Sequence, residues 1–272
     1  MNVWTISNQK GGVGKTTTAV SLGGLLAAQG QRVLLIDLDP QGSLTAYFRL
    51  NPDTVEHGVY SLFAARANGV EDPQPAQLLQ DTGVDGLSLM PASTAMATLD
   101  RQLGARVGMG LVIRVALARL EAHFDYVLMD CPPMLGVLMV NALAACDRLL
   151  IPVQTEFLAL KGLERMLRTL QMVGRSRGGS LPYTVIPTFF DRRTRASMDA
   201  LRALRDQCGE RLWSRVIPVD TQFREASRAG LPINRYSAGA RGTEAYQSLL
   251  RWLLAEPQQA TVTGHTQAAV AS

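Results

Sequence analysis

The 272-residue chain carries 27 Lys+Arg against 23 Asp+Glu and is 47% hydrophobic and 18% charged. That balance builds a folded core and argues against a disordered chain, and no apolar run reaches the roughly 18 residues a membrane-spanning helix needs. Cys131, Cys146 and Cys208 are odd in number and far apart, which argues against a disulfide framework and for small buried thiols in a reducing cytoplasm.

The first residues have no basic stretch followed by an apolar segment and a small-residue cleavage site, so no secretory signal is expected. Short apolar runs then alternate with helical patterns. Strands are expected at "VWTIS" (3–7), "RVLLID" (32–37), "YVLMD" (126–130), "RLLIPV" (148–153), "YTVIPT" (183–188) and "RVIPV" (215–219). Continuous apolar runs of this kind are strands covered on both faces. Helices are expected over 16–29, 110–122, 158–173 and 197–208. The alternation predicts an α/β, doubly wound, mostly parallel sheet with helices on both faces. Residues 51–95, with Pro52, Pro73, Pro75 and Pro91, read as short helices and loops. Residues 1–254 read as one domain, and 255–272, rich in Gln, Thr and Ala without apolar periodicity, as a disordered tail.

"NQKGGVGKTT" (8–17) follows the first strand and opens the first helix. Glycines in that context let backbone N–H groups turn toward phosphate oxygens, and the helix N-terminus adds its dipole. Gly11, Gly12, Val13, Gly14, Lys15, Thr16 and Thr17 are the candidate phosphate cradle, with Lys15 reaching the β- and γ-phosphates and the Thr16 hydroxyl on Mg²⁺. Only three cations in the chain are lysine, Lys10, Lys15 and Lys161, so two of three flank one loop. A compact rotatable ammonium is required there in place of the guanidinium fork.

Two more strands deliver acids. "DLDPQG" places Asp37 and Asp39 at i and i+2, where alternation aims both toward the carboxyl ends that bind ligands in open sheets. "YVLMDCPP" ends on Asp130, the place of a second Mg²⁺-organising carboxylate. An acid at a strand end is often a turn residue; the phosphate loop upstream tips the reading toward function.

"KGGVGKTT", "LLIDLDPQG" and "VLMDCPP" together resemble the deviant-Walker ATPases of the ParA/MinD superfamily, over about residues 1–254. The resemblance implies a slow, Mg²⁺-dependent ATPase whose cofactors are ATP and Mg²⁺. It implies an ATP-sandwiched homodimer in which Lys10 crosses to the partner's nucleotide. Lys10, Lys15 and Asp39 would be catalytic, Asp39 orienting the attacking water, while Thr16, Asp37 and Asp130 organise the metal. The adenine pocket is expected near Pro218 and Asp220. An activating partner protein and a cargo are also implied.

Within the superfamily, iron-protein reductases need cysteines bridging a cluster, and here Cys131 directly follows Asp130 with no second cysteine in a matching loop. Membrane-positioning relatives end in a basic amphipathic helix, whereas residues after 256 contain no Lys or Arg, so no membrane anchor of that type is expected. Small-molecule ligases of the fold lack the full "DxDPQG" signature. From Lys161 to Arg215 there are 12 Lys+Arg against 5 Asp+Glu, a field that attracts nucleic-acid phosphates without regard to sequence. "DRRTRAS" puts Arg192, Arg193 and Arg195 just after a strand and resembles a ParA segment in which an arginine, here Arg193, contributes to non-specific DNA binding, so these three are the candidates. "IPVDTQFREAS" resembles a second such stretch, with Gln222 at the family's arginine position and Arg224 nearby. A narrower resemblance, in "NALAACDRLLIPVQTEFLALKGLERMLRTL", "DRRTRASMDALRALRD" and "GARGTEAYQSLL", is to the ParC branch, which positions chemotaxis arrays at the cell pole. Plasmid or chromosome partition is the alternative role, and the expected location is cytoplasmic, on the nucleoid or at the pole.

Overall fold

The structure is a computed structural model that describes residues 1–70, 73–99, 102, 108–177 and 179–255, without the side chains of 173–177. The expected tail lies outside the described residues from 256 onward.

Seven strands form one sheet in the order β3-β4-β2-β5-β1-β6-β7. They are β1 (Asn2–Ile6), β2 (Val33–Asp37), β3 (Gln80–Val84), β4 (Leu87–Met90), β5 (Tyr126–Asp130), β6 (Arg148–Gln154) and β7 (Tyr183–Thr188). All pairings are parallel except β3 with β4. The described helices of four or more α-helical residues are α1 (Lys15–Ala28), α2 (Ser43–Tyr47), α3 (Val59–Asn68), α4 (Val112–Leu120), α5 (Val137–Ala145), α6 (Phe157–Arg177), α7 (Arg195–Cys208), α8 (Gln222–Ala229), α9 (Ile233–Tyr236) and α10 (Arg241–Ala255).

The sheet is buried on both faces because its strands carry apolar side chains alternately to each side. Leu34, Ile36, Val127 and Met129 join α3–α6 in one core, and Leu35, Leu128, Leu150 and Ile186 join α1 and α10 in the other. Each such fully buried aliphatic side chain contributes about 1.5–3 kcal/mol relative to exposure. The expected fold class is what forms, with strands in place at β1, β2, β5, β6 and β7.

Two expectations are corrected. Residues 51–95 are not only helix and loop, because β3 and β4 form an antiparallel hairpin that closes one edge of the sheet. Its turn is Asp85-Gly86, with Gly86 at φ +77°, the dipeptide and conformation that close short hairpins. "RVIPV" is not a sheet strand. Ile217 N–H reaches the Pro187 carbonyl at 2.8 Å, but the segment goes on to make one isolated parallel bridge, Phe190 to Pro218, and not a ladder.

The register that matters lies at the carboxyl edge. β5 sits between β1 and β2, with Asp130 paired to Ile6 on one side and to Asp37 on the other. The end of β1, and hence the loop after it, stands beside two strand-end carboxylates, where open α/β sheets place ligands.

Candidate nucleotide site

The loop from Ser7 to Gly14 is held from below. Ser7 N–H donates to the Leu150 carbonyl at 3.1 Å. Asn8 Nδ2 donates to the Pro152 carbonyl at 2.7 Å, and its Oδ1 accepts from Lys10 N–H at 3.0 Å. Thr188 Oγ1, at the end of β7, donates to the Val13 carbonyl at 2.9 Å. With carbonyls turned toward β6 and β7, the glycine segment above is free for a ligand. Gly12 and Gly14 take φ +71° and +92°, the left-handed region that glycine enters without a Cβ penalty. At Gly11 and Gly12 no atom lies within 4 Å of where a Cβ would stand. Helix α1 begins at Lys15 with no side chain capping it, so its first-turn N–H groups and dipole face that open space. This cradle fits a phosphate chain.

Lys15 is only 9% exposed. It folds back under the loop, with Nζ 3.5 Å from the Lys10 carbonyl, and its charge acts on Asp130. Lys10 lies elsewhere. Its ammonium donates to Gln154 Oε1 at 2.8 Å and forms an ion pair with Glu156, so within one chain it is parked against the β6–α6 junction. Thr17 is half-buried behind Thr16. Thr18, one turn into α1, donates to the Gly14 carbonyl and shares a 2.8 Å hydrogen bond with Tyr246 of α10, tying the loop to the C-terminal helix.

The acids converge from two strands. Asp37 is fully buried. Its Oδ1 accepts from Asp39 N–H at 3.1 Å, and its Oδ2 accepts from Thr45 N–H and Oγ1 at 2.8 and 2.7 Å. Asp130, 1% exposed, accepts from Thr16 Oγ1 through Oδ2 at 2.5 Å, while its buried Oδ1 has no hydrogen-bond partner. Burial holds the Asp37 carboxyl well above the usual carboxylate range. Burial raises Asp130 first and neighbouring Asp37 second, against the lowering pull of Thr16 and Lys15. Two buried acids side by side, one with an orphaned oxygen, describe a place whose negative charge Lys15 alone does not offset. Among the described residues no cluster of three or more His, Cys, Asp or Glu side chains could hold an ion by itself. Thr16, Asp37 and Asp130 nevertheless fit Mg²⁺, an ion held by one or two carboxylates together with substrate phosphate oxygens.

Asp39 lies just beyond, 8% exposed, with Oδ1 accepting from Gln41 N–H at 3.0 Å. Cys131 follows Asp130 into the core, where burial pushes its thiol up and away from thiolate chemistry.

At the other margin, Phe190 N–H donates to the Ile217 carbonyl and Val219 N–H to the Phe190 carbonyl, at 3.1 and 3.2 Å. The loop carrying Arg192 and Arg193, which leads into α7 at Arg195, and the loop carrying Pro218 and Asp220 therefore run side by side. Exposed Phe189 bounds the cradle, 3.5 Å from the Cβ position of Gly14. Asp220 is a brace, with its two oxygens accepting from Gln222 N–H and Gly242 N–H at 3.0 and 2.9 Å. Arg192, Arg193, Arg195 and Arg224 are all exposed. Arg193 is bound to Asp191, whose carboxyl it holds down at about 2, and Arg195 lies 3.5 Å from Asp199. Sequence reasoning missed Gln154, Glu156 and Thr45. Their only sequence signal was position, just after an apolar run or just after the DxDPQG loop.

A glycine cradle at the end of β1, a helix N-terminus and two strand-end acids define a phosphate-loop nucleotide-binding protein. Residues 1–181 match the family described as an AAA domain. The chain is 36% identical over 247 residues to the sporulation initiation inhibitor protein Soj of Bacillus subtilis (strain 168), covering 90% of this chain and 95% of that one. It is 37% identical over 254 residues to the chromosome partitioning protein ParA of Caulobacter vibrioides (strain NA1000 / CB15N), covering 92% and 93%. A solved structure from Mycobacterium smegmatis, described as cobyrinic acid a,c-diamide synthase with bound ADP and magnesium, is 34% identical, with 93% and 94% coverage and a TM-score of 0.78. The chain belongs to the ParA/MinD superfamily.

Proposed function

We propose that this protein is a ParA-type ATPase that binds ATP and Mg²⁺ in the cradle, forms a nucleotide-sandwiched homodimer, and resets by slow hydrolysis. The observation that carries this reading is the buried Asp130, with one oxygen on Thr16 and the other unpartnered, beside Asp37 and Lys15. Magnesium, when bound, supplies positive charge to the phosphates. Thr16, Asp37 and Asp130 hold it, Lys15 neutralises the β- and γ-oxygens, and Gly11–Thr17 orient the chain of phosphates. Asp39, whose Oδ1 is held by the Gln41 N–H, orients water. Lys10 exchanges its contacts with Glu156 and Gln154 for the neighbour's nucleotide, which makes hydrolysis depend on pairing as an arginine finger does.

Arg192, Arg193 and Arg195 are exposed within the segment 161–215 that bears 12 of the chain's cations, and exposed Arg224 follows it. They supply a salt-dependent grip on DNA. The partitioning role named for the Caulobacter relative supports chromosome or plasmid partition over positioning of chemotaxis arrays, with an activating partner protein and a cargo still to be found. No helix among the described residues is long and apolar enough to cross a membrane. The description of the Mycobacterium smegmatis neighbour, a synthase of a diamide of a carboxylic acid with bound ADP and magnesium, gives the second reading, nucleotide-dependent amidation of a carboxylic acid.

Phosphate release measured with wild type and Lys15→Ala, with and without duplex DNA, tests the proposal. Expected is slow release, raised by DNA or partner and absent in the variant. Normal turnover by Lys15→Ala overturns it, and release that requires a carboxylic acid co-substrate favours the second reading.

A further inference from the structure

Far from the cradle, helices α3 and α4 leave a narrow slot of about 100 Å³ between them. Leu62 and Arg66 of α3 form one bank, and Val112, Val115, Ala116 and Arg119 of α4 the other. No residue of the phosphate loop lines it. At its upper end Leu111 is 48% exposed and Val115 44%, and beyond them Val140 of α5, 39% exposed, lies 3.6 Å from the Cβ position of Gly110. Three large aliphatic side chains are thus left in water on one continuous surface. A soluble surface tolerates such residues singly, whereas a group beside a groove marks a contact.

The three helices that border it carry charge of one sign. The sequences of α3, α4 and α5, "VYSLFAARAN", "VIRVALARL" and "VLMVNALAA", contain Arg66, Arg114 and Arg119 and no Asp or Glu. Among the described residues neither Arg66 nor Arg119 makes an ion pair. The Arg66 guanidinium lies across the slot, 3.3 Å from the Cβ position of Gly108, so its stem covers apolar surface while its charge stays available. A guanidinium fork accepts a carboxylate in two hydrogen bonds.

We propose that the α3–α4 slot is a docking site for an acidic, apolar segment of a partner protein. The segment would set aliphatic side chains between Leu111, Val115 and Val140 and carboxylates on Arg66 and Arg119. The slot is smaller than the roughly 300–1,000 Å³ of small-molecule pockets, and its concavity, with guanidinium groups on both banks, suits a ridge of side chains better than a flat bilayer. No residue of the phosphate loop or of the strand ends that bear Asp37 and Asp130 lines the slot. It does not depend on the nucleotide reading.

The test uses the full chain and a synthetic 16-residue amphipathic peptide, leucine at i, i+3, i+4 and i+7 with glutamate elsewhere, and its lysine counterpart. Fluorescence anisotropy with wild type is expected to show saturable binding of the glutamate peptide, at least tenfold tighter than the lysine peptide. The double variant Arg66→Glu/Arg119→Glu should lose tenfold or more for the glutamate peptide and gain the lysine peptide. Val115→Asp should weaken the glutamate peptide as well. Unchanged thermal unfolding of these surface variants keeps loss of binding distinct from loss of fold. No saturable binding, equal binding of the two peptides, or indifference to charge reversal overturns the proposal. So does Arg66- and Arg119-dependent binding to phosphatidylglycerol vesicles without peptide binding, which would make the surface a membrane contact.

Discussion

The Thr16 hydroxyl donates to Asp130 Oδ2 at 2.5 Å, joining the first turn of α1 to the end of β5. That one contact places a hydroxyl, two buried carboxylates and the glycine cradle within reach of the same small volume, because Asp130 and Asp37 are paired neighbours in the sheet. The arrangement is unfavourable for the empty protein. Both acids are buried, and Asp130 Oδ1 forgoes a hydrogen bond, which costs about 1–3 kcal/mol for a buried polar group. Asp130→Asn removes one acid and adds a donor, so the empty variant is expected to melt higher than wild type by a few degrees, on the order of 1 kcal/mol. The same variant should lose the extra stabilisation that Mg²⁺ with nucleotide gives wild type. Thermal melts with and without Mg²⁺–ATP check both halves. An empty variant less stable than wild type would mean that Asp130 is a structural cap.

Asp39 differs from Asp37 and Asp130 in that, among the described residues, its carboxylate accepts only the local Gln41 N–H, through Oδ1, and in being 8% exposed where theirs are 0% and 1%. Asp39→Ala is expected to leave nucleotide affinity within about threefold of wild type, yet lower hydrolysis by about 10²–10⁴, the range for loss of a group that manages proton or water positions. Nucleotide binding and phosphate release on the same preparation separate the steps. Lost nucleotide binding would move Asp39 to the metal-holding group.

Gly24 shows why propensity alone misleads in α1. In a helix interior, Gly→Ala ordinarily adds about 1 kcal/mol of stability. Here a Cβ on Gly24 would stand 2.2 Å from Pro232 Cβ and 2.8 Å from Asn234 Oδ1, at the start of α9. Overpacking costs about 1–3 kcal/mol and wins. Gly24→Ala is expected to lower the unfolding midpoint, and since α1 carries the cradle, to weaken nucleotide binding in step. A rise in the midpoint would show that α9 yields freely.

Much of this was legible in the chain. β5 and β7 begin and end at the residues their apolar runs mark, and "GGVGKTT" with the acids of β2 and β5 pointed to one site before any contact was known. What stayed hidden depends on tertiary neighbours. The β3–β4 hairpin was masked by the prolines around it, although Asp85-Gly86 was the signal that could have found it. "RVIPV" has strand composition like the runs of β6 and β7, which also contain a proline, but it meets the sheet edge only through one hydrogen bond to Pro187 and one isolated bridge after β7. The partners of Lys10 were unreadable, since Gln154 and Glu156 lie about 145 residues away along the chain and meet it only because β6 runs beside β1.

The arginine loop after β7 invites a graded prediction, because its members are not equally free. Arg193 spends its guanidinium on Asp191 through Nε and Nη2, at 2.9 and 2.7 Å. Arg195 has a longer contact to Asp199, which also binds Arg202 at 2.9 Å. Arg192 makes no ion pair among the described residues. If this surface grips DNA, Arg192→Ala should weaken binding more than Arg193→Ala. Each lost phosphate contact should also reduce the slope of log affinity against log salt by about 1. Asp191→Ala should do the opposite, releasing Arg193 and strengthening binding at low salt. Titrations of a non-specific duplex at three salt concentrations, with ATP present, measure all three variants together. Equal effects of Arg192→Ala and Arg193→Ala would show that the Asp191 pair opens on contact with phosphate, and no effect from any of them would remove this loop from the DNA surface.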